Sequence, residues 1–352
     1  KYVGARIWEP PQVRSASWQQ KPLASRESST GGRIVLTSRL PMPTMRYVDW
    51  DGNEQPLDFR KQGPLAVNLW ASWCPPWRME MKLWDEQASA FEKAGLDILA
   101  LCVDGLDEDR LEGGKTPVAS KPSDFPLPSG QATHEVLDQF DVMQRAVLDR
   151  WLPLPLPCTF LVNRQGELVA IYKGPVHPDV LLKDMELMSA SENELLSAVA
   201  PARGRWVNRP GGLSPLNVAS LLIDRGNVSQ AIEYLSDRED DWDGSPLSRG
   251  ERIQAADRSY TLGLLFVESG RREKARLAFE RASRLNPQDV RNHRRLGELA
   301  LQEHQLDAAA DHFTKALAER PDDLALHHQM AMVRGAQNRH ADAVQHFLPV
   351  AR

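Results

Sequence analysis

The chain has 352 residues, of which 41% are hydrophobic and 26% charged, which is typical of globular proteins rather than of disordered or fibrous ones. At about 100–200 residues per domain, this length predicts two or three domains. No run of 18 apolar residues occurs, which excludes a membrane-spanning helix, and the net charge of −5 argues against a basic surface that follows nucleic-acid phosphates.

Residues 1–42 show no sustained periodicity, and we expect a linker or the end of a preceding module, with one short strand from Arg33 to Ser38. From 43 to 192 short apolar runs alternate with helical spacing, which predicts an α/β sheet covered on both faces. The predicted elements are strands at 65–70, 97–103, 158–163 and 167–172, helices at 77–94, 135–151 and 177–189, a hairpin turn at 51–53, and a long insertion or loop at 105–130.

From residue 256 the sequence repeats itself with a period of 34 residues. Small residues at fixed places allow two helices to approach closely, and a Phe fills the gap between repeats. This pattern resembles the tetratricopeptide repeat and predicts an all-α solenoid over 256–352, while 193–255 resembles a weaker copy with an acidic insertion. The matching positions are Gly263 with Gly297 and Ala331, Ala275 with Ala309 and Ala343, and Phe279 with Phe313 and Phe347.

A second resemblance lies in the α/β part. The segment from Val67 to Pro76 (VNLWASWCPP), followed by Glu80, resembles the active-site segment of the thioredoxin superfamily, in its redoxin branch of TlpA/ResA-type thiol-disulfide proteins. Leu156-Pro157-Cys158, followed by a strand and Gly166, is similar to that family's cis-proline loop. The resemblance implies a thioredoxin fold over 43–192, with Cys74, Pro157 and Cys158 as catalytic candidates and an active-site loop formed by Trp73, Pro75, Pro76 and Trp77.

Cys74 stands where a buried strand leads into a helix, and a helix N-terminus favours the thiolate, which predicts a lowered pKa. In the family a second thiol three residues later resolves the mixed disulfide. Here Trp77 takes that position, which removes the dithiol cycle, and we expect its side chain to pack over the site. Asn68 replaces the buried acid that thioredoxin itself uses for proton transfer.

Two interpretations of the cysteines remain open at this point. Cys74 is either a reactive monothiol or a vestigial residue in a domain now used for binding. The family's layout brings Cys158 near Cys74, so the two are either joined by a non-standard disulfide, or Cys158 is a small buried residue that begins a strand. Cys102 lies in the middle of an apolar strand and is expected in the core.

The concave face of tetratricopeptide arrays usually holds peptides, and the family's groove positions can be carried over to this chain. Arg291 and Arg294 could clamp a carboxylate by forked hydrogen bonds, or they are simply solvated charges. The candidate peptide-binding residues are Tyr260, Arg291, Arg294, Glu298 and His328, with Asp257, Glu268, Gln302 and Met332 at further groove positions.

Seven of the nine histidines lie between 293 and 346. His293 and His327 are one repeat apart, as are His312 and His346, and equivalent positions on stacked helices are about 8–10 Å apart. Because zinc needs ligand nitrogens about 2.1 Å from one ion, we expect no metal site and no cofactor.

The sequence thus favours a protein-binding or assembly module, in which a thioredoxin-like domain without dithiol catalysis is joined to a peptide-binding array. The alternative is a thiol-disulfide oxidoreductase acting through Cys74, alone or with Cys158, that uses the repeats to recruit a client. The redoxin resemblance implies an extracytoplasmic location, periplasmic or secreted. The order of modules also resembles the C-terminal part of large extracytoplasmic proteins in which they follow a β-propeller and an ASPIC/UnbV-type module.

Overall fold

The structure is a computed structural model, and it describes residues 32–60, 63–74, 76–106, 125, 127–148, 153–199, 213–237 and 247–350. Among these residues, eight strands form one sheet in the order β1-β8-β7-β4-β5-β6-β2-β3. The strands are β1 (Gly32–Pro41), β2 (Met45–Val48), β3 (Glu54–Leu57), β4 (Leu65–Trp70), β5 (Asp97–Cys102), β6 (Ser129–Gln131), β7 (Cys158–Val162) and β8 (Glu167–Lys173).

The centre of the sheet is β4, whose six residues are all buried. It pairs parallel with β5 and antiparallel with β7, so that Asn68 lies opposite Thr159 and Leu69 opposite Cys158. A strand buried on both faces is expected to be almost continuously apolar, and Asn68, the polar residue of β4, is hydrogen-bonded to Glu80 and Thr159. The helices beside the sheet are α1 (Pro76–Glu86), α2 (Ala88–Ala94), α3 (His134–Leu148), α4 (Pro178–Met185) and α5 (Glu192–Val199).

This mixed sheet with flanking helices confirms the predicted α/β thioredoxin-like class. The helix predicted over 77–94 is two helices, since the chain breaks at Gln87, which does not have helical backbone angles. The predicted loop over 105–130 ends in strand β6, which is too short to leave a periodic pattern; residues 107–124 and 126 lie outside the described part.

The N-terminal segment differs in part from expectation. Residues 32–41 form edge strand β1, paired antiparallel with β8, so the short strand predicted at 33–38 is present but belongs to the sheet rather than to a linker. The Arg33 guanidinium binds the buried Asp184 carboxylate through Nε at 2.7 Å and Nη2 at 2.5 Å, and the Tyr172 hydroxyl donates to Asp184 at 2.6 Å. A charge that leaves water needs such partners, so this ion pair ties β1 to the helix α4. Residues 1–31 lie outside the described part.

The remaining helices form the predicted solenoid in antiparallel pairs, and none of the described helices is long and apolar enough to cross a membrane. Tyr234 donates to the Pro41 carbonyl, and Arg225 binds the Asp141 carboxylate, so the first pair packs against the α/β part. The helices are α6 (Pro215–Asp224), α7 (Val228–Ser236), α8 (Arg249–Glu268), α9 (Arg272–Leu285), α10 (Val290–Gln302), α11 (Leu306–Glu319), α12 (Leu324–Ala336) and α13 (His340–Val350). The acidic run of the insertion, 239–243, lies outside the described residues.

Close packing of the helix pairs α8–α9 and α10–α11 depends on one glycine in each pair. A Cβ added to Gly263 would lie 2.4 Å from the Phe279 ring, and one added to Gly297 would lie 2.6 Å from the Phe313 ring. Both rings are fully buried. The repeated glycine is therefore a packing requirement, which is the physical reason for its 34-residue spacing.

We expect Gly297→Ala to destabilise the solenoid relative to Gly335→Ala, a matched control. Both substitutions gain helix propensity, about 1 kcal/mol. Only Gly297 meets the buried Phe313 ring, whereas a Cβ at Gly335 has nothing within 4 Å. Overpacking costs about 1–3 kcal/mol, and the two variants should differ by that amount in urea unfolding followed by far-UV circular dichroism. Equal stability of the two variants would contradict the packing argument.

Candidate functional site

The two redoxin-like motifs meet at the carboxyl end of strand β4. The chain leaves β4 at Trp70 and enters α1 at Pro76, and Cys74, which is 8% exposed, lies between them. The peptide bond between Leu156 and Pro157 is cis, as the resemblance implies. The Cys74 thiol donates a hydrogen bond to the Leu156 carbonyl, with Sγ 3.3 Å from the oxygen. Residues 82 positions apart thus form one site.

The loop around Cys74 is partly open to solvent. Trp73 is 64% exposed, and the Ser72 N–H donates to the Asp104 carboxylate at 3.0 Å, which anchors the loop beside β5. Pro75 lies outside the described residues, as do the side chains of Pro76 and Trp77, so the expected packing of Trp77 over the site stays a prediction.

The protonation state of Cys74 differs from the sequence-based prediction. Burial raises the pKa of the thiol, and the charge of the Glu80 carboxylate raises it further. The prediction of a lowered pKa is therefore wrong. Its physical basis is weak here because proline carries no backbone N–H, so Pro76, the first residue of α1, provides no donor at the start of the helix. The carbonyl of Leu156 also accepts a bond that only the protonated thiol can donate.

The carboxyl group of Glu80, whose charge acts on Cys74, was not identified as a site residue from sequence. Glu80 is 2% exposed, and its Oε1 accepts the Val176 N–H at 2.7 Å. Its Oε2 accepts from Asn68 Nδ2 at 3.3 Å, and burial raises its pKa to about 8. A usable signal was present, because Glu80 lies one and four residues before Met81 and Trp84, both buried, on the inner face of α1.

Asn68 joins this group to the sheet. Its Nδ2 also donates to Thr159 Oγ1 at 2.9 Å, and its Oδ1 accepts no hydrogen bond among the described residues. Asn68 cannot titrate, so the buried acid of this site lies on α1 rather than on β4. A protonated Glu80 near neutral pH is a proton donor within the same network.

Cys158 and Cys102 are both buried free thiols, and burial raises the pKa of each to about 12. Side chains alternate along a strand, and Thr159 faces Asn68 and α1, so Cys158 points to the other face of β7. Cys74 is also a free thiol in this structure. This orientation of Cys158 is unfavourable for a bond to Cys74, and the pairing remains a prediction to be tested.

The predicted groove residues of the solenoid are engaged with one another. Arg291 Nη2 lies 2.6 Å from both Asp257 and Asp289, and its guanidinium stacks over the Tyr260 ring, 4.8 Å from the centroid. The Arg291 guanidinium is therefore already bound to two carboxylates of the chain itself. A ligand carboxylate would have to displace them, so Arg291 is neither a free clamp nor a simply solvated charge, the two alternatives left open by the sequence.

Glu298 is the centre of a second set of polar contacts in the groove. Arg294 Nε lies 3.0 Å from its Oε1 and Arg295 Nη1 2.8 Å from its Oε2, while Gln329 Nε2 donates to Oε1 at 2.6 Å. These contacts lower the pKa of Glu298 even though its burial acts in the opposite direction. His328 is exposed, with its ring 5.8 Å from that of Phe347. The surface therefore combines fixed ion pairs with an exposed imidazole.

Comparison with known proteins gives a consistent result. Residues 39–171 match the model of the AhpC/TSA family, and residues 260–323 match a tetratricopeptide repeat model. The chain is 27% identical over 161 residues to the thiol-disulfide oxidoreductase ResA of Bacillus subtilis (strain 168), covering 46% of this chain and 81% of that protein. It is 30% identical over 145 residues to ResA of Geobacillus kaustophilus (strain HTA426), covering 41% and 74%. The crystal structure of MamA is 19% identical, with a TM-score of 0.33 and coverage of 38% and 73%.

The raised pKa of Glu80 makes stability depend on pH. Between about pH 4.5 and 8 the unfolded chain releases a proton that the folded chain keeps, so this group lowers the free energy of unfolding as pH rises through that window. In the wild-type chain this effect lowers the free energy of unfolding by on the order of 3–5 kcal/mol between pH 4.5 and 8, and we expect this decrease to be absent from Glu80→Gln. The measurement is urea unfolding at both pH values, with Glu86→Gln, at the exposed end of α1, as the control. If Glu80→Gln and the wild-type chain show the same change in the free energy of unfolding between the two pH values, this assignment is contradicted.

Proposed function

The chain belongs to the AhpC/TSA family through a ResA-like redoxin domain at residues 39–171, and we propose that this domain, joined to tetratricopeptide repeats, serves as a protein-binding and assembly module. The observation that carries the proposal is the state of Cys74. Its thiol is buried, donates to the Leu156 carbonyl and has a raised pKa, and the sequence provides no second thiol at Trp77. Disulfide exchange needs a thiolate, and the family's dithiol cycle also needs a second thiol to resolve the mixed disulfide, so the support is strongest for binding.

In this proposal the repeats supply the binding surface. Arg291 and Arg294 are about half exposed, and their ion pairs hold the guanidinium groups in place along the inner helices. Pre-ordered side chains lose less entropy on binding. A partner peptide would exchange its own carboxylates for Asp257 or Glu298 and place an apolar or aromatic residue near Tyr260 and His328. We also propose an extracytoplasmic location, which rests on the family resemblance.

The second candidate function is thiol-disulfide exchange through Cys74. It is favoured by the retained cis-proline loop beside the thiol and by the Glu80 carboxyl, whose pKa of about 8 suits proton transfer near neutral pH. The thiolate would attack one sulfur of a client disulfide, form a mixed disulfide and release the other client sulfur as a thiolate. Resolution would then need Cys158 or an external thiol.

Thiol counting separates the two candidates. We expect three alkylated cysteines by intact mass in denaturant, both with and without prior reduction, and slow labelling of Cys74 in the native protein at pH 6. The physical reason is that a buried, hydrogen-bonded thiol with a raised pKa is rarely ionised at that pH. Cys102, buried in β5, serves as an internal reference for a core thiol.

Two results would overturn the binding proposal. The first is rapid labelling of native Cys74 at pH 6, which would indicate a reactive thiolate. The second is one free thiol before reduction and three after it, with Cys74 and Cys158 in a single cross-linked peptide. Either would favour the redox function, with the repeats as its targeting arm.

The groove can be tested in the same full chain. We expect a groove altered by Arg294→Glu combined with His328→Ala to lose a partner protein that the wild-type chain retains, because the Arg294–Glu298 pair would become repulsive and the exposed imidazole would be lost. Cys74→Ser should retain the partner. Arg276→Glu is the matched control, since Arg276 also pairs with a Glu four residues on but lies on the outer helix α9. Capture lost with Cys74→Ser instead would show a mixed disulfide rather than groove binding.

A further inference from the structure

Four histidines of the last two repeats form two close pairs that the 34-residue period did not predict. Nδ1 of His293 on α10 lies 3.4 Å from Nδ1 of His312 on α11. Nδ1 of His327 on α12 lies 3.0 Å from Nδ1 of His346 on α13. Each pair joins the two antiparallel helices of one repeat, 19 residues apart. The sequence-based argument compared neighbouring repeats, and it therefore considered the wrong partners.

The second ring nitrogen of His327 has a contact that shows which nitrogen of this imidazole carries the proton. His327 Nε2 lies 2.8 Å from the Pro321 carbonyl oxygen, which can only accept, so Nε2 carries the hydrogen. In the neutral ring the Nδ1 lone pair is then directed at His346. In the first pair His293 Nε2 lies 3.4 Å from Ser283 Oγ, a hydroxyl that can either donate or accept, so this contact does not fix the tautomer of His293. Metal-ligating histidines typically donate their second N–H to a carbonyl, as His327 does.

The distances also suit a shared ion. Two nitrogens each about 2.05 Å from one ion at the tetrahedral angle are about 3.4 Å apart, and at a right angle about 2.9 Å. The observed 3.4 and 3.0 Å lie within this range. All four rings are half-buried, so each pair has a protein side and a solvent side.

The surroundings of three of these rings favour the neutral form, which is the form that binds metals. Burial lowers the pKa of His293, His312 and His346, and the partner histidine lowers the pKa of His312 and His346 further. The charged groups that act on the first pair are Lys315, Asp311 and Glu280, and those that act on the second pair are Arg334 and Asp342.

We propose that each histidine pair binds one late first-row divalent cation, such as Zn²⁺, Ni²⁺ or Cu²⁺, through its two Nδ1 atoms. Within the described residues no group of three or more His, Cys, Asp or Glu side chains could hold a metal ion, so each site has two protein ligands. Water completes the coordination, which leaves open positions at the solvent side. The sites repeat along the solenoid because the same helix pair presents them twice.

The competing explanation is an N–H···N hydrogen bond within each pair, which gives a similar distance. Equilibrium dialysis of the full chain with Zn²⁺ at pH 7.5 separates the two. We expect two bound ions per chain, one after His312→Asn, one after His346→Asn and none after both substitutions. His304→Asn is the control, since His304 belongs to neither pair and lies in the turn before α11.

A measurement on the unaltered chain guards against misfolded variants. Zn²⁺ should protect His293, His312, His327 and His346 from modification by diethylpyrocarbonate, read by peptide mass spectrometry, while His304 and His340 stay reactive. Co²⁺ should give visible absorption bands of a nitrogen-ligated ion. The proposal is overturned if no ion binds, if binding persists in the double variant, or if Zn²⁺ protects none of the four residues.

Discussion

The candidate site depends on one carboxyl group that is withdrawn from water, that of Glu80. Its two oxygens accept from the Val176 N–H and from Asn68, so a single side chain of α1 fixes the helix to β4 and to the segment before α4. Burial of a carboxylate is costly, and the group responds by keeping its proton up to about pH 8. The position of α1, and therefore of the loop that carries Cys74, is set by the same bonds.

The chemistry of the cysteine follows from that arrangement. Cys74 is held against the Leu156 carbonyl beside the cis peptide bond, in the scaffold of a thiol-disulfide site, yet both its burial and the nearby Glu80 favour the thiol over the thiolate. Trp77 replaces the second thiol. The cis-proline loop that positions the thiol is thus present, whereas the features that would make the thiol reactive, an accessible thiolate and a second thiol, are weakened or replaced. A domain converted to binding would retain this combination.

The solenoid is organised by repetition of small contacts rather than by one large core. Gly263 on α8 and Gly297 on α10 each allow a buried Phe of the following helix to approach closely. Ion pairs such as that of Arg291 with Asp257 link equivalent positions of neighbouring repeats. Because successive repeats have similar sequences, a side-chain pair within one helix pair can recur in the next, as the two histidine pairs do. The first helical pair packs against the α/β part, so the redoxin domain and the first repeats share one hydrophobic core.

The sequence by itself determined most of the elements and their order, because hydrophobic periods of 2 and 3.6 residues and a 34-residue repeat are local properties. It also indicated Cys74, Pro157 and the missing thiol at Trp77. The pairing of β1 with β8, the raised pKa of Cys74, the hydrogen bonds of Glu80 and the histidine partners were decided only by the tertiary structure. Edge pairing, desolvation and Coulomb interactions depend on neighbours that lie far apart in the chain, and no local pattern records which residues those neighbours are.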